Sequence, residues 1–301
     1  MMLKIKTWIS AARIRTLPLS ISGILAGTGM AIRQEIFNGQ ILIFALLTTL
    51  GLQILSNFAN DYGDGVKGTD NEDRIGPMRA LQSGIISDKE MKTGIFITAI
   101  ITFILAGILI FISFETDEIF QVLLFFILGI AAIAAAIKYT VGKTAYGYRG
   151  LGDIFVFLFF GLLSTVGSFY LYSKTLTPSI WIIGSIIGLL STAVLNVNNM
   201  RDRKSDKKAG KITMAVKLGS EKAKKYHYSL ILISLGLSVI YIILHPHFLN
   251  ALILIAFIPL LLHLQVVKKN KVPEDLDPEL KKVALSTVFF SLIYLFSGLG
   301  F

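Results

Sequence analysis

The chain contains no cysteine, which excludes a disulfide framework, a thiolate metal site and a thiol nucleophile. Histidine is scarce too, with four residues in 301. His245, His247 and His263 lie in or beside late apolar segments without metal-ligand spacing, and His227 ends a basic run, so all four read as structural residues. Any bound metal must be held mainly by oxygen. Charge is the third shortage: Asp, Glu, Lys and Arg make up 16% of the chain, against about 25% in soluble domains. Hydrophobic residues supply 54% of the chain, and the mean hydropathy of +0.70 is that of a membrane protein.

Long apolar segments run approximately over residues 16–33, 40–61, 94–114, 119–137, 153–173, 179–199, 229–245, 248–267 and 283–300, nine in all. They predict an all-α fold, a polytopic bundle of about nine transmembrane helices, as one domain over residues 1–301. The net charge of +10 does not point to nucleic acid, because of where the charge sits. If the amino terminus is cytoplasmic, 27 of the 29 Lys and Arg fall in the tail and the inside loops, and only Arg33 and Lys174 fall outside. By the positive-inside rule this orients the chain with its amino terminus cytoplasmic, and the expected location is the cytoplasmic (inner) membrane. Residues 1–15, with Lys4, Lys6, Arg13 and Arg15 around Trp8, read as a retained amphipathic interfacial segment rather than a cleaved signal. Gly23, Ala26 and Gly27 give the first span a small-residue face for close packing.

Two acid-rich stretches stand out against this background. The first is Asn57-Phe58-Ala59-Asn60-Asp61-Tyr62-Gly63-Asp64-Gly65-Val66-Lys67-Gly68-Thr69-Asp70, at the end of the second span; the other runs from Asn196 to Lys211, at the end of the sixth. A glycine-rich solvated turn explains Gly63 and Gly65. It does not explain Asn57, Asn60, Asp61 and Asp64 at the mouth of an apolar helix, where an unpaired charge is costly. At helical spacing Asn60 and Asp64 share a face, as do Asn198, Asp202 and Asp206, so each stretch offers a ladder of oxygen ligands. Such ladders suit Mg²⁺, which is usually shared with substrate phosphates. On the same side lies the stretch Lys138 to Asp153, where Lys138, Lys143 and Arg149 are either interfacial anchors or donors to diphosphate oxygens.

The Asn60-Asp61-x-x-Asp64 core, the later Arg79-x-Leu81-x-Ser83-Gly84, and Asn198-x-x-x-Asp202-x-x-x-Asp206-x-x-x-Gly210 resemble the signatures of the intramembrane aromatic prenyltransferase (UbiA) superfamily. Within it, the passages Asn57 to Asp70, Tyr139 to Asp153 and Asn196 to Lys211 are closest to the branch that prenylates 1,4-dihydroxy-2-naphthoate. Two positions depart from the usual pattern. Gly68 stands where many members carry a third carboxylate, with Asp70 two residues on, and Ala80 follows Arg79 where proline is usual.

The resemblance implies a helical bundle around a central cavity with a cytoplasmic-side active site. It implies Mg²⁺-dependent transfer of a polyprenyl group from polyprenyl diphosphate to 1,4-dihydroxy-2-naphthoate, with loss of carbon dioxide and diphosphate, giving demethylmenaquinone. It assigns Asn60, Asp61, Asp64, Asn198, Asp202 and Asp206 to metal. Asp64, Asp202, Lys143 and Tyr139 take catalytic roles, and Asn57, Arg79, Lys143, Tyr146, Tyr148, Arg149 and Lys211 bind substrate. The lipid bilayer is the remaining partner. Alternatives stay open: another acceptor such as 4-hydroxybenzoate or a porphyrin-type ring, a transporter for divalent cations or phosphorylated solutes, or a lipid sensor. The transporter lacks the inverted repeat such proteins often show.

Overall fold

The computed structural model describes residues 2–69 and 78–300, and all of their regular secondary structure is helical. A short amphipathic helix α1 (Met2–Ala11) leads into α2 (Leu17–Arg33), followed by α3 (Gly39–Val66), α4 (Asp88–Ser113), α5 (Ile119–Lys138), α6 (Gly152–Ser173), α7 (Pro178–Arg201), α8 (Met214–Leu244), α9 (Phe248–Lys269) and α10 (Pro273–Gly300). The eight helices α3 to α10 are long and apolar enough to cross a membrane, and α2 is a shorter apolar helix. The nine apolar segments therefore correspond to eight full-length candidate spans and one short helix. In α2, Pro18 lies in the first turn and Ile21 interrupts the winding. Helix α8 begins well before residue 229, at Met214, because its polar first half is helical although too charged to register as an apolar segment. Gly219, at φ +74°, bends it there.

Local signals fix the other starts. Asn38 accepts from the backbone N–H groups of Gln40 and Ile41 to open α3, Ser87 and Glu90 form a capping box on α4, and Thr213 caps α8. Each satisfies amides that the helix itself leaves without partners. Burial separates the core from the perimeter. In the most apolar window of α7, 72% of residues are buried, against 11% in α5. Thus α7 is the central post, packed by α6, α8 and α10, while α5 lies against α3 and α4 with its outer face apolar and exposed.

Small residues bring the helices around α7 together. A Cβ on Gly161 would stand 2.4 Å from Gly188 Cα across the α6–α7 contact, and one on Gly23 would stand 2.1 Å from Ser164 Oγ across α2–α6. The small face expected on the first span is therefore the face that meets α6. Residues Phe157–Gly167 of α6 wind as a π-helix, a form that often marks functional positions.

Helix α1 closes over the same end as the acidic stretches. Trp8 packs edge-on against Phe58 at 5.0 Å, Lys4 pairs with Glu90 at 2.6 Å, and the Ala12 carbonyl accepts from Asn57 Nδ2 at 2.8 Å.

Candidate active site

The carboxylates at the end of α3 and those at the end of α7 meet in one cavity of about 400 Å³. Asn57, Asn60 and Asp64 line it from one side, and Asn198, Asn199, Asp202 and Asp206 from the other. One lysine joins them. The backbone N–H of Lys211 donates to the Asp206 carbonyl at 2.8 Å, and its Nζ reaches Asp64 Oδ2 at 3.4 Å. Burial works against the ammonium, but Asp64 and Asp206 outweigh it and hold Lys211 above its ordinary range. Burial also pushes the Asp206 carboxyl up to about 7, against the pull of Lys211.

Each ladder has its own support. Asp64 Oδ1 accepts from the Tyr148 hydroxyl at 2.7 Å, and Thr69 Oγ1 lies 2.6 Å from that hydroxyl. Thr140 Oγ1 lies 3.2 Å from Asn60 Oδ1. On α7, Arg201 grips Asp202 through Nε and Nη2, both at 2.8 Å, and the same Nη2 reaches Asn198 Oδ1 at 2.9 Å. Arg201 also pairs with Asp277 at the start of α10. The guanidinium thus sets the orientation of two side chains that line the cavity.

Several residues take places other than those expected. Asp61 is fully buried and does not line the cavity. Its two oxygens accept the backbone N–H groups of Ala80 and Leu81 at 3.1 and 3.3 Å. Placed this way, Asp61 faces away from Asn60 and Asp64, with which it was expected to hold metal, and pins the segment that carries Arg79. Arg79 itself lines the cavity. Lys143 and Arg149 are exposed on the loop before α6 and do not line it; that loop turns their charges to the surface, away from the catalytic and diphosphate-binding roles expected of them. Tyr148 lies behind Asp64 as its hydrogen-bond donor rather than on the cavity wall. Asp70 lies outside the described residues.

Tyr139 and Tyr146 line the cavity and begin an aromatic file. Their rings meet edge to face at 5.3 Å, Tyr146 stacks on Phe155 at 3.8 Å, and Phe159 follows at 6.0 Å. Burial raises the Tyr139 hydroxyl to about 12, so it stays protonated at neutral pH. Phe155 and Phe159 carried no signal in the sequence, since nothing separates them from lipid-facing phenylalanines in an apolar run. Arg13 was also missed. It lines the cavity at the α1–α2 corner, in the left-handed region at φ 51°, a strained backbone of the kind found at functional sites.

From the carboxylates the cavity descends between apolar walls. Ala45 and Asp64 both line it, and their separation along α3 corresponds to about 28 Å of helix, nearly the thickness of a bilayer core. A charged mouth over a deep apolar tube suits an amphiphile with a polyanionic head.

The donor set fits a hard divalent ion. Asn60, Asp64, Asn198, Asp202 and Asp206 present only oxygen or amide groups. Among the described residues no three carboxylates or histidines already form a metal cage. Mg²⁺ needs none, since it is commonly held by one or two carboxylates with substrate phosphates completing the shell.

The fold defines a multi-pass membrane protein with a deep, carboxylate-mouthed cavity, and the chain belongs to the UbiA prenyltransferase family, whose model matches residues 20–293. More particularly, it is 40% identical to a 1,4-dihydroxy-2-naphthoate octaprenyltransferase of Haemophilus influenzae over 97% of this chain and 95% of that one. It is also 40% identical to the Escherichia coli protein of the same name, over 96% and 94%. Among solved structures, a UbiA homolog from Archaeoglobus fulgidus bound to DMAPP and Mg²⁺ has a TM-score of 0.72 at 16% identity, covering 98% of this chain and 99% of the other. At that identity the likeness is one of fold. Membership of a prenyltransferase family supports the enzyme reading over the transporter and the lipid sensor.

Two substitutions separate the wall from its support. Asp61→Ala leaves the Ala80 and Leu81 amides without acceptors and should lower stability by about 1–3 kcal/mol, read by thermal unfolding in detergent. Lys143→Ala should keep catalytic turnover within about twofold of the parent, as expected for a surface site.

Proposed function

We propose that the protein transfers a polyprenyl group from its diphosphate to 1,4-dihydroxy-2-naphthoate, with loss of diphosphate and carbon dioxide, giving the demethylmenaquinone skeleton. The convergence of both carboxylate ladders on the mouth of one apolar tube carries this reading. The relatives named for the same acceptor, at 40% identity over nearly the whole chain, support the choice of substrate. The basic end of the bundle faces the cytoplasm of a cell whose inner membrane holds the chain.

In this reading the diphosphate lies between Asn60 and Asp64 on one side and Asn198, Asp202 and Asp206 on the other, with Arg13, Arg79 and Lys211 against its oxygens. Mg²⁺ held by those ladders would neutralise charge on the leaving group. The isoprenoid tail fills the tube below. As the C1–O bond breaks, the electron pair leaves with diphosphate and the allylic cation develops beside Tyr139, Tyr146 and Phe155, whose ring faces attract positive charge. The apolar walls keep water from that cation. The ring carbon that bears the carboxylate then bonds to C1, and its bond to the carboxylate breaks, releasing carbon dioxide and returning the electron pair to the dihydroxy ring. Asn57 ties α1 and its corner to the site, and Tyr148 and Arg201 keep Asp64 and Asp202 aimed.

Purified protein with Mg²⁺, labelled prenyl diphosphate and a panel of aromatic acids tests this directly. Product with the naphthoate and not with 4-hydroxybenzoate is expected; product only with 4-hydroxybenzoate would overturn the acceptor assignment while leaving prenyl transfer intact.

Asp206 adds a pH dependence. With its carboxyl at about 7, the group is protonated at pH 6 and must ionise to hold a metal, so the Mg²⁺ concentration for half-maximal activity should rise about tenfold from pH 8 to pH 6. Stability without metal should move the other way. A carboxyl raised on folding binds more protons in the native state, so this contribution is complete below about pH 4 and is lost as pH rises through 7. Asp206→Asn should flatten both profiles.

A further inference from the structure

A second cavity, of about 650 Å³, lies at the same end of the bundle, between the end of α7, the first half of α8 and the turn joining α9 to α10. None of its lining residues lines the carboxylate cavity. Its rim carries Arg203, Lys204, Lys224, Lys268, Lys269 and Lys271, and Glu221 is the only carboxylate among its lining residues. Lys224 Nζ is held by the Asn270 carbonyl at 2.8 Å and by Glu221 at 3.4 Å. The other five cations reach the rim from two further stretches of chain. Below them the floor is apolar and buried, made by Met200, Val267 and Leu276.

The spacing of the rim is fixed from beneath. His227 and His263 are fully buried with their Nε2 atoms 2.7 Å apart. His263 Nδ1 lies 2.5 Å from Glu279 Oε2, and Lys282 Nζ donates to Glu279 Oε1 at 2.6 Å. His227 is one turn from Lys224, His263 one turn from Val267, and Glu279 one turn from Leu276. A continuous polar chain therefore ties α8, α9 and α10 directly under the cavity. Prenyl transfer uses none of these residues.

We propose that this cavity binds the phosphate headgroup of an anionic phospholipid from the leaflet at the basic end. Six cations brought together from three segments repel one another, and a phosphate relieves that repulsion. Lysines, which dominate the rim, act on phosphate as mobile point charges. The apolar floor receives the glycerol and upper acyl carbons, which a free phosphate ion does not have. Helices that cross the membrane deliver the rim to headgroup depth.

The test reconstitutes the full-length protein in phosphatidylcholine nanodiscs containing a minor share of phosphatidylglycerol, then washes in neutral detergent and measures retained lipid by mass spectrometry. The parent should retain phosphatidylglycerol over phosphatidylcholine. Lys268→Ala/Lys271→Ala should lower the retained phosphatidylglycerol at least about fivefold, and the charge reversal Lys269→Glu should act likewise. The same charge removed outside the cavity, Lys222→Ala/Lys225→Ala, should leave retention unchanged, with thermal unfolding confirming the fold of every variant. Equal loss in the cavity and control pairs would show diffuse surface attraction and overturn the proposal, as would retention unaffected by any variant. Release of the lipid by about 10 mM inorganic phosphate would reassign the cavity to a free anion and equally overturn it.

Discussion

Asp64→Asn and Asp202→Asn are each expected to lower prenyl transfer at least about 100-fold, the scale of losing one preorganised electrostatic contact in a closed site. Asparagine keeps the shape and one oxygen but removes the charge that the proposed metal–diphosphate head would require. Because both carboxylates face one cavity, the double variant should fall little below the weaker single one, as groups acting as a unit are not additive. Multiplication of the two losses would show that the ladders work separately. Thermal unfolding must accompany the kinetics: Asp64 accepts from Tyr148 and Lys211, and asparagine retains one acceptor oxygen for them.

Arg201→Leu is expected to cost about 3–5 kcal/mol of stability, the penalty for leaving one member of a buried ion pair alone. Arg201 is 7% exposed and meets Asp202 through two nitrogens. Leucine fills much of the space but leaves the Asp202 carboxylate without a counter-charge and frees α10 from its tie at Asp277. Mg²⁺ together with prenyl diphosphate should restore part of the lost stability by supplying positive charge to Asp202. Lysine at the same position should rescue only in part, since an ammonium cannot make the forked contact. A melting temperature unchanged in Arg201→Leu would show that the pair is not the clamp the geometry describes.

Helical arithmetic made much of the site legible beforehand. Asn60 with Asp64, and Asn198 with Asp202 and Asp206, share faces because residues four apart on a helix lie above one another, and their placement at the ends of apolar runs marked them as costly without a purpose. Asp61 joined the expected ligand set only through the resemblance, not through this arithmetic. It is adjacent to Asn60 in sequence but about 100° away around the helix, and its acceptors serve Ala80 and Leu81, contacts that only the folded loop reveals. Lys143 and Arg149 looked equivalent to Lys211 as loop cations beside a membrane; which of them turns inward depends on the path of the loop, here a turn at Gly210 with φ +71° that returns Lys211 to Asp64. Arg201 was hidden for another reason. A basic residue at a helix end reads as an anchor, and its role appears only when Asp202, Asn198 and Asp277 stand around it.

The bundle followed from hydropathy because the bilayer fixes helix length and forbids unpaired backbone groups. Where the pattern failed, at the polar half of α8, helix formation is driven by capping at Thr213 and by packing on α7, neither of which a hydropathy window measures. The π-wound stretch of α6 was equally invisible, since its residues are as apolar as those of any span.

Isothermal titration of the detergent-solubilised protein with a non-reacting thio-analogue of a prenyl diphosphate, in the presence of Mg²⁺, tests most directly whether two ladders make one site. A single site per chain is expected, lost in Asp64→Asn and lost again in Asp202→Asn. Binding that survives in either variant with an undiminished constant, or two independent sites each removed by one substitution, would contradict it.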